Sequence, residues 1–320
     1  MLRRTILKSA AAVASGTILG MRAVRAQAPF LTNVAPGAAA YGNNVLVVAT
    51  ASDGRIFYNW WQLGGGSHDW LEIDGNGRTD ATPAASFTVL GDNVNEVDMW
   101  RTIKGTDDNI YINNGGKIGT GFSEWVLFQG LQTTVAPAAT IVNNGTWPIG
   151  AYTPVVVAAD AHGLVYYDMG LDPNGWRELA GGGRTDAALA AALAGDSYLF
   201  VVAKGLDGQL YLNQGELGGS FTGWEGLGFS TNLAPAASSA GNTTVLVATG
   251  TDGRVYYDWW ALGEGGHGLR PLDGDGRTDA APAAALVGNN YLFILAKGLD
   301  GHIYLNQGEL GGSFTGWSML

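Results

Sequence analysis

The chain has 320 residues, no cysteine and a formal net charge of −11. The missing thiols exclude a disulfide framework and a cysteine nucleophile, and the acidic surplus speaks against the clustered basic surface that neutralises the phosphates of nucleic acid or anionic lipid. Fifty glycines, 11 tryptophans and 12 tyrosines, with little helical periodicity, point to an all-β, turn-rich chain.

Residues 1–26 read as a cleaved export signal: a charged start, a moderately apolar run, then Val24-Arg25-Ala26 as a small-residue cleavage site. Arg3-Arg4-Thr5-Ile6-Leu7-Lys8 resembles a twin-arginine export motif, with Ile6 where the usual pattern has Phe. An ordinary secretory signal is the alternative. A cut after Ala26 is preferred to one after Ala28, which Pro29 would follow. No later run is apolar enough to span a membrane, so a soluble periplasmic or secreted protein is expected. Loss of the segment removes Arg3, Arg4, Lys8, Arg22 and Arg25, leaving 12 basic against 28 acidic residues, a net charge of −16.

Residues 27–32 form a short lead-in, and residues 33–320 read as one repeating domain. The repeat is clearest at Thr251 to Trp260, TDGRVYYDWW. An Asp-Gly pair flanked by β-branched and aromatic residues is a hairpin signal, because the turn needs a positive φ that Gly supplies freely. Val245–Ala248 is the incoming strand. The outgoing one sets Val255, Tyr257 and Trp259 on one face against Tyr256, Asp258 and Trp260 on the other. Equivalent turns fall at Asp53-Gly54, Asp107-Asp108, His162-Gly163, Asp207-Gly208 and Asp300-Gly301. Ala-Pro or Ala-rich entries precede each, and a strand ending near Trp70, Trp125, Trp176, Trp224, Leu269 or Trp317 follows.

Spacings of about 45–55 residues and four short strands per unit predict a six-bladed β-propeller of four-stranded antiparallel blades. The blades are 33–80, 81–133, 134–185, 186–232, 233–279 and 280–320. The units start and stop in one phase, so closure by packing of the termini is expected rather than a borrowed strand. Odd and even blades differ. Gly-Arg-Thr-Asp-Ala follows blades 1, 3 and 5 at 77–81, 183–187 and 276–280, whereas blades 2, 4 and 6 carry Lys-Gly before the turn and Asn113, Asn213 or Asn306 after it. Residues 195–224 and 288–317 are nearly identical, while blade 2 has diverged and keeps Lys104, Gly105, Asp107, Tyr111, Asn113 and Trp125.

The stretch from Leu227 to Trp260, LGFSTNLAPAASSAGNTTVLVATGTDGRVYYDWW, resembles the repeat of the PLL-like bacterial β-propeller lectins, and the resemblance runs through all six units. It implies a ring that binds sugars, fucose or methylated sugars in the best-known members, in clefts between neighbouring blades. Those members have seven blades.

From the residues themselves, stacking on a sugar face suits Trp60, Trp61, Trp259 and Trp260. Tyr111, Tyr211, Tyr256 and Tyr304 read instead as packing, as do Trp125, Trp224 and Trp317. Arg78, Arg184 and Arg277 sit in polar connectors where packing does not require a guanidinium. If connector and turn share one rim, each odd-to-even junction joins such an Arg to an Asp (Asp80, Asp186, Asp279) and a Lys (Lys104, Lys204, Lys297). That predicts three near-equivalent polar clefts; the plainer alternative is an ion pair fixing the connector.

Glu72, Asp74, Asn76 and Asp80 also have the alternation of a calcium loop. Blade 5 offers only Asp273, Asp275 and Asp279, and blade 3 has lost its ligands, which speaks for a plain turn. No acid stands out as the unique pair a glycosidase needs. His68, His162, His267 and His302 lie in or near turns with no metal or triad spacing. The sequence therefore favours a non-catalytic glycan-binding protein without a cofactor, apart from calcium as an alternative. A scaffold propeller comes next, and a sialidase-like glycosidase last.

Overall fold

The computed structural model describes residues 30–73, 75–89, 97–113, 124–143, 152–170 and 175–320. The expected export signal at 1–26 lies outside them. Six four-stranded sheets follow one another along the chain, each antiparallel with its strands in sequence order, so no blade borrows a strand from another. This is a six-bladed β-propeller. Blade 5 runs Ala236–Ala240, Thr243–Thr249, Val255–Ala261 and Arg270–Pro271 from the axis outwards. The innermost strands adjoin one another around the axis, with Ala283–Val287 returning to Gly37–Tyr41. Among the described residues no helix is long and apolar enough to cross a membrane.

The second strand of each blade reads as an almost unbroken apolar run because it is buried on both faces. In Asn44–Thr50, Leu46 and Val48 pack towards blade 2 with Met99 and Ile103, while Val45 and Val47 pack towards blade 6 with Phe293 and Leu295. The third strand divides likewise. Val255 and Tyr257 join the core shared with blade 6, and Trp260 joins the core shared with blade 4. The stability of the ring thus resides in the junctions rather than within single sheets.

The outermost strands begin after the aromatic residue of each unit rather than ending on it. Trp317 precedes Ser318–Met319, and Trp224 precedes Glu225–Ser230. The reason is packing across the junction. A Cβ added to Gly276 would lie 2.4 Å from Trp317 Cδ1, and Gly183 and Gly77 stand as close to Trp224 and Trp125. Each of these three tryptophans therefore leans on a glycine of the preceding blade's connector. The outer strands of blades 1, 3, 5 and 6 are two residues long, which leaves little edge for pairing with another chain.

A threonine holds every connector. The backbone N–H of Thr79, Thr133, Thr185, Thr231 and Thr278 donates to the carbonyl at the preceding hairpin turn. The side chain of each caps the backbone two residues on. Thr32 N–H donates to Gly301 in the same way at 3.0 Å, and Thr32 Oγ1 donates to Val34 O. Phe30 stacks on Trp70 at 4.5 Å. Residues 30–32, the described part of the short lead-in, thus hold the junction between blades 6 and 1 as the connectors hold the others.

Candidate functional site

Arg277 pairs through its backbone with Arg254, as Arg184 does with Leu164 and Arg78 with Arg55. This fixes all three arginines beside the hairpin turn of their own odd blade. Asp279, two residues on, crosses to the even blade and meets Lys297 Nζ at 2.5 Å; Asp186 meets Lys204 at 2.5 Å and Asp80 meets Lys104 at 2.9 Å. The Arg, Asp and Lys of each odd-to-even junction therefore share one rim.

Their environments differ. All three lysines are buried, and each also donates to the carbonyl of the following glycine. Through these ion pairs they tie the connector to the next blade. Asn213 and Asn306, fully buried, reinforce that tie by donating to the carbonyls of Ala180 and Asp273 in the previous blade. The arginines are exposed. Arg184 donates to His162 O at 2.9 Å, Arg277 donates to Asp252 O, and Arg78 donates to Gly77 O at 3.0 Å.

Between blades 5 and 6 these elements enclose a cleft of about 450 Å³. Arg277, Asp275 and Asp300 supply the polar groups of its lining, and Leu299, Tyr304, Trp317 and Ala296 the apolar surface. Leu299 is 69% exposed. Asp300 accepts the Tyr304 hydroxyl at 2.8 Å, and that bond, with the His302 N–H, holds its carboxyl below the usual range. The same bond pushes the Tyr304 phenol up. Tyr211 and Tyr111 make the equivalent bond to Asp207 and Asp107, at 2.7 and 2.8 Å. These tyrosines are half-buried and clamp the turn, so they belong to the cleft wall more than to the core in which the sequence puts them.

The tryptophan pairs lie elsewhere. Trp259 is five residues along the strand from Arg254, about 16 Å towards the opposite rim. Its ring is stacked on His267 at 4.3 Å and lies under the Arg270 guanidinium at 4.5 Å. Trp60 is stacked on His68 at 4.2 Å. Trp61 and Trp260 are buried and make edge-to-face contact with Phe293 and Phe200 of the preceding blade. His68 and His267 thus cover one face of Trp60 and Trp259, Trp61 and Trp260 are buried, and the pairs lie apart from the arginines. Leu299, Tyr304 and Trp317, not the tryptophan pairs, line the cleft beside Arg277. The sequence carries a signal for one of them, since a leucine at an exposed turn tip, Leu206 or Leu299, has no packing reason.

The calcium alternative meets a similar obstacle. Glu72 is held by Arg55 at 2.9 Å, and Asp80 by Lys104. In blade 5, Asp275 is paired with Arg254 at 2.7 Å. Asp74 lies outside the described residues, among which no group of three or more acidic or histidine side chains is gathered for a metal.

No family model matches the chain, and no curated protein matches it. Solved structures do. Aleuria aurantia lectin in complex with Fucα1-6GlcNAc superposes with a TM-score of 0.67 at 15% identity, over 91% of this chain and 96% of that one. A lectin from Burkholderia pseudomallei gives 0.60 at 17% identity, over 87% and 81%. AofleA from Arthrobotrys oligospora gives 0.67 at 12% identity, over 91% and 87%. At such identities the likeness is one of fold.

Proposed function

We propose that this protein is an exported glycan-binding propeller, a lectin acting in the periplasm or outside the cell, whose sugar sites are clefts between odd and even blades. The observation that carries the reading is the blade 5–6 cleft. It sets guanidinium donors and carboxylate acceptors opposite Leu299, Tyr304 and Trp317, the two kinds of surface that a sugar presents as hydroxyls and C–H faces. The arginine, turn aspartate, tyrosine and tryptophan recur at the other odd-to-even junctions, as Arg78, Asp107, Tyr111 and Trp125 and as Arg184, Asp207, Tyr211 and Trp224, while the leucine recurs only as Leu206. One Aleuria aurantia structure is of a fucose-specific lectin, and another is of the lectin in complex with α-methyl-L-fucoside. With the PLL-like repeat, this favours fucosides or related sugars as ligands.

A glycosidase is disfavoured by the cleft's own acids. General-acid catalysis needs a carboxyl group with a raised pKa, whereas Asp300 is held below its usual range by Tyr304 and His302, and Asp275 is paired with Arg254. Residues 27–320, screened on a broad glycan array with and without calcium chelator, test the reading. Binding to a coherent sugar class is expected, undiminished by chelator. Silence across the array moves the protein to the class of scaffold propellers.

A further inference from the structure

We propose that the channel along the propeller axis is a second ligand site, separate from the clefts between blades, and that it takes a small neutral polyol of the size of glycerol or myo-inositol.

The innermost strand stands at one end of every sheet, and all six border the axis. Around them the channel holds about 450 Å³, within the range of about 300–1,000 Å³ usual for small-molecule sites. Its mouth is framed by the turns that follow the innermost strands, at Gly42, Gly195, Gly241 and Gly288. It narrows to about 90 Å³ where the Ala-Pro entries converge. The wide end therefore opens on the rim opposite the hairpin turns and their arginines.

The third residue of each innermost strand lies at one level of this channel: Ala39, Ser86, Thr140, Ala192, Ser238 and Ala285. Alanine serves three blades there, so the fold requires no hydroxyl at that level. Ser238 has a use within the chain, because its Oγ accepts the Leu286 N–H at 3.0 Å and joins blade 5 to blade 6. Ser86 has none. It borders the channel, is only 5% exposed, and its hydroxyl meets no partner among the described residues. Burying a hydroxyl without a partner is unfavourable, so its presence points to a group supplied from outside the chain.

Charge selects the class of that group. Among the described lining residues Asp196, at the mouth, is the one charged side chain, and no cation accompanies it. An anion therefore gains nothing here. What remains are hydroxyls and the N–H and C=O groups of strand edges. A cavity of this size would hold about 15 waters at about 30 Å³ each. A polyol offers hydroxyls that donate and accept as water does, and one such molecule releases several waters.

The test is an NMR titration of the protein with glycerol, myo-inositol and D-gluconate, followed at the backbone amides of Ala39, Ala192 and Ser238. A parallel titration with α-methyl-L-fucoside is followed at the Trp317 indole N–H, which reports on the blade 5–6 cleft. The neutral polyols should move the three amides and leave Trp317 still, and gluconate should move neither. Ser86→Ala should weaken polyol binding about fivefold, the loss of one neutral hydrogen bond. It should also leave the melting temperature of the ligand-free protein unchanged or higher, since the hydroxyl removed has no partner there. Asn289→Trp, at an exposed turn of the mouth, should obstruct entry and weaken binding of both polyols. Amides that stay still with every polyol would show a channel filled by water alone and overturn the proposal. So would a melting temperature lowered by several degrees in Ser86→Ala, which would make the hydroxyl structural, or inositol shifts at Trp317 in place of the amides. None of these three results touches the lectin reading, which rests on the fucoside titration and the array.

Discussion

Replacing Arg277 with alanine separates a binding role from a structural one. The side chain is exposed, and its hydrogen bond within the chain is the one donated to the Asp252 carbonyl. An exposed hydrogen bond nets about 0.5–1 kcal/mol, and at about 2 °C per kcal/mol for a chain of this size the melting temperature should fall by only about 1–2 °C. Binding should respond much more. A charge-assisted hydrogen bond from a guanidinium to a sugar hydroxyl contributes about 1.5–3 kcal/mol, so affinity at the blade 5–6 cleft should fall about 10- to 150-fold. Differential scanning fluorimetry gives the first quantity and the Trp317 indole titration the second. Trp224, whose cleft keeps Arg184, serves as an internal control. A fall in melting temperature beyond about 5 °C would make Arg277 structural, and unchanged affinity at Trp317 would remove it from the site.

Gly276→Ala places a Cβ 2.4 Å from Trp317 Cδ1, so overpacking should cost about 1–3 kcal/mol and lower the melting temperature by several degrees. Gly265→Ala, with nothing within 4 Å of the new atom, should leave it unmoved. Deleting Phe30 to Thr32 removes the Trp70 stack and the Thr32 bond to Gly301; earlier unfolding that begins at the blade 6–1 junction in hydrogen exchange is expected, and uniform protection would refute the closure role. The turn aspartates fix the pH window. Asp107, Asp207, Asp252 and Asp300 are depressed, by Asn109, by the Gln209 N–H, by the Arg254 N–H and by Tyr304 respectively as the foremost causes. Their contribution is therefore present above the unfolded carboxylate pKa and lost as pH falls through the lower folded values. Tyr111, Tyr211 and Tyr304 are raised by their aspartates, so their contribution is lost as pH rises above about 10. Melting temperature should be flat between about pH 5 and 9, and Tyr304→Phe should soften both limbs. Calcium at millimolar concentration should leave it unchanged, because Glu72 and Asp80 already face Arg55 and Lys104.

The ring was legible because its signals are local and repeated. Asp-Gly turns, apolar second strands and Ala-Pro entries each report a conformation that neighbouring residues alone determine. The meeting of Asp279 with Lys297 was legible too, since both lie at strand or connector ends on one rim. The tryptophans misled because alternation along a strand gives the face of a residue and not its height. Trp259 and Arg277 are close in sequence and belong to opposite rims. The threonine connectors escaped notice for a different reason. Thr32, Thr133 and Thr231 lack the Gly-Arg that marks Thr79, Thr185 and Thr278, and their common role rests on a backbone hydrogen bond that any non-proline residue can make.

The alternation of blade types has a consequence for how such sites arise. Each cleft takes its arginine from an odd blade and its leucine, tyrosine and tryptophan from the even blade that follows, so a single duplicated blade carries half a site. Duplication of a pair copies the junction whole, which is consistent with Gly-Arg-Thr-Asp-Ala standing at 183–187 and 276–280 ahead of the nearly identical residues 195–224 and 288–317. Under the proposed function, sites at the junctions of blades 3–4 and 5–6 would lie two blades apart in a six-fold ring, on the rim of the hairpin turns, and so face the same way. A single shallow site of millimolar strength contributes only about 4 kcal/mol. Two sites fixed on one face gain roughly 100-fold when the glycan is displayed in several copies on a surface. A monovalent glycoside should accordingly bind weakly to each cleft, while a bivalent one whose linker spans them should bind about two orders of magnitude more tightly. Arg277→Ala should remove most of that gain and leave the weak binding at blades 3–4. Equal affinities for the monovalent and bivalent ligands, across a series of linker lengths, would mean that the clefts do not act together.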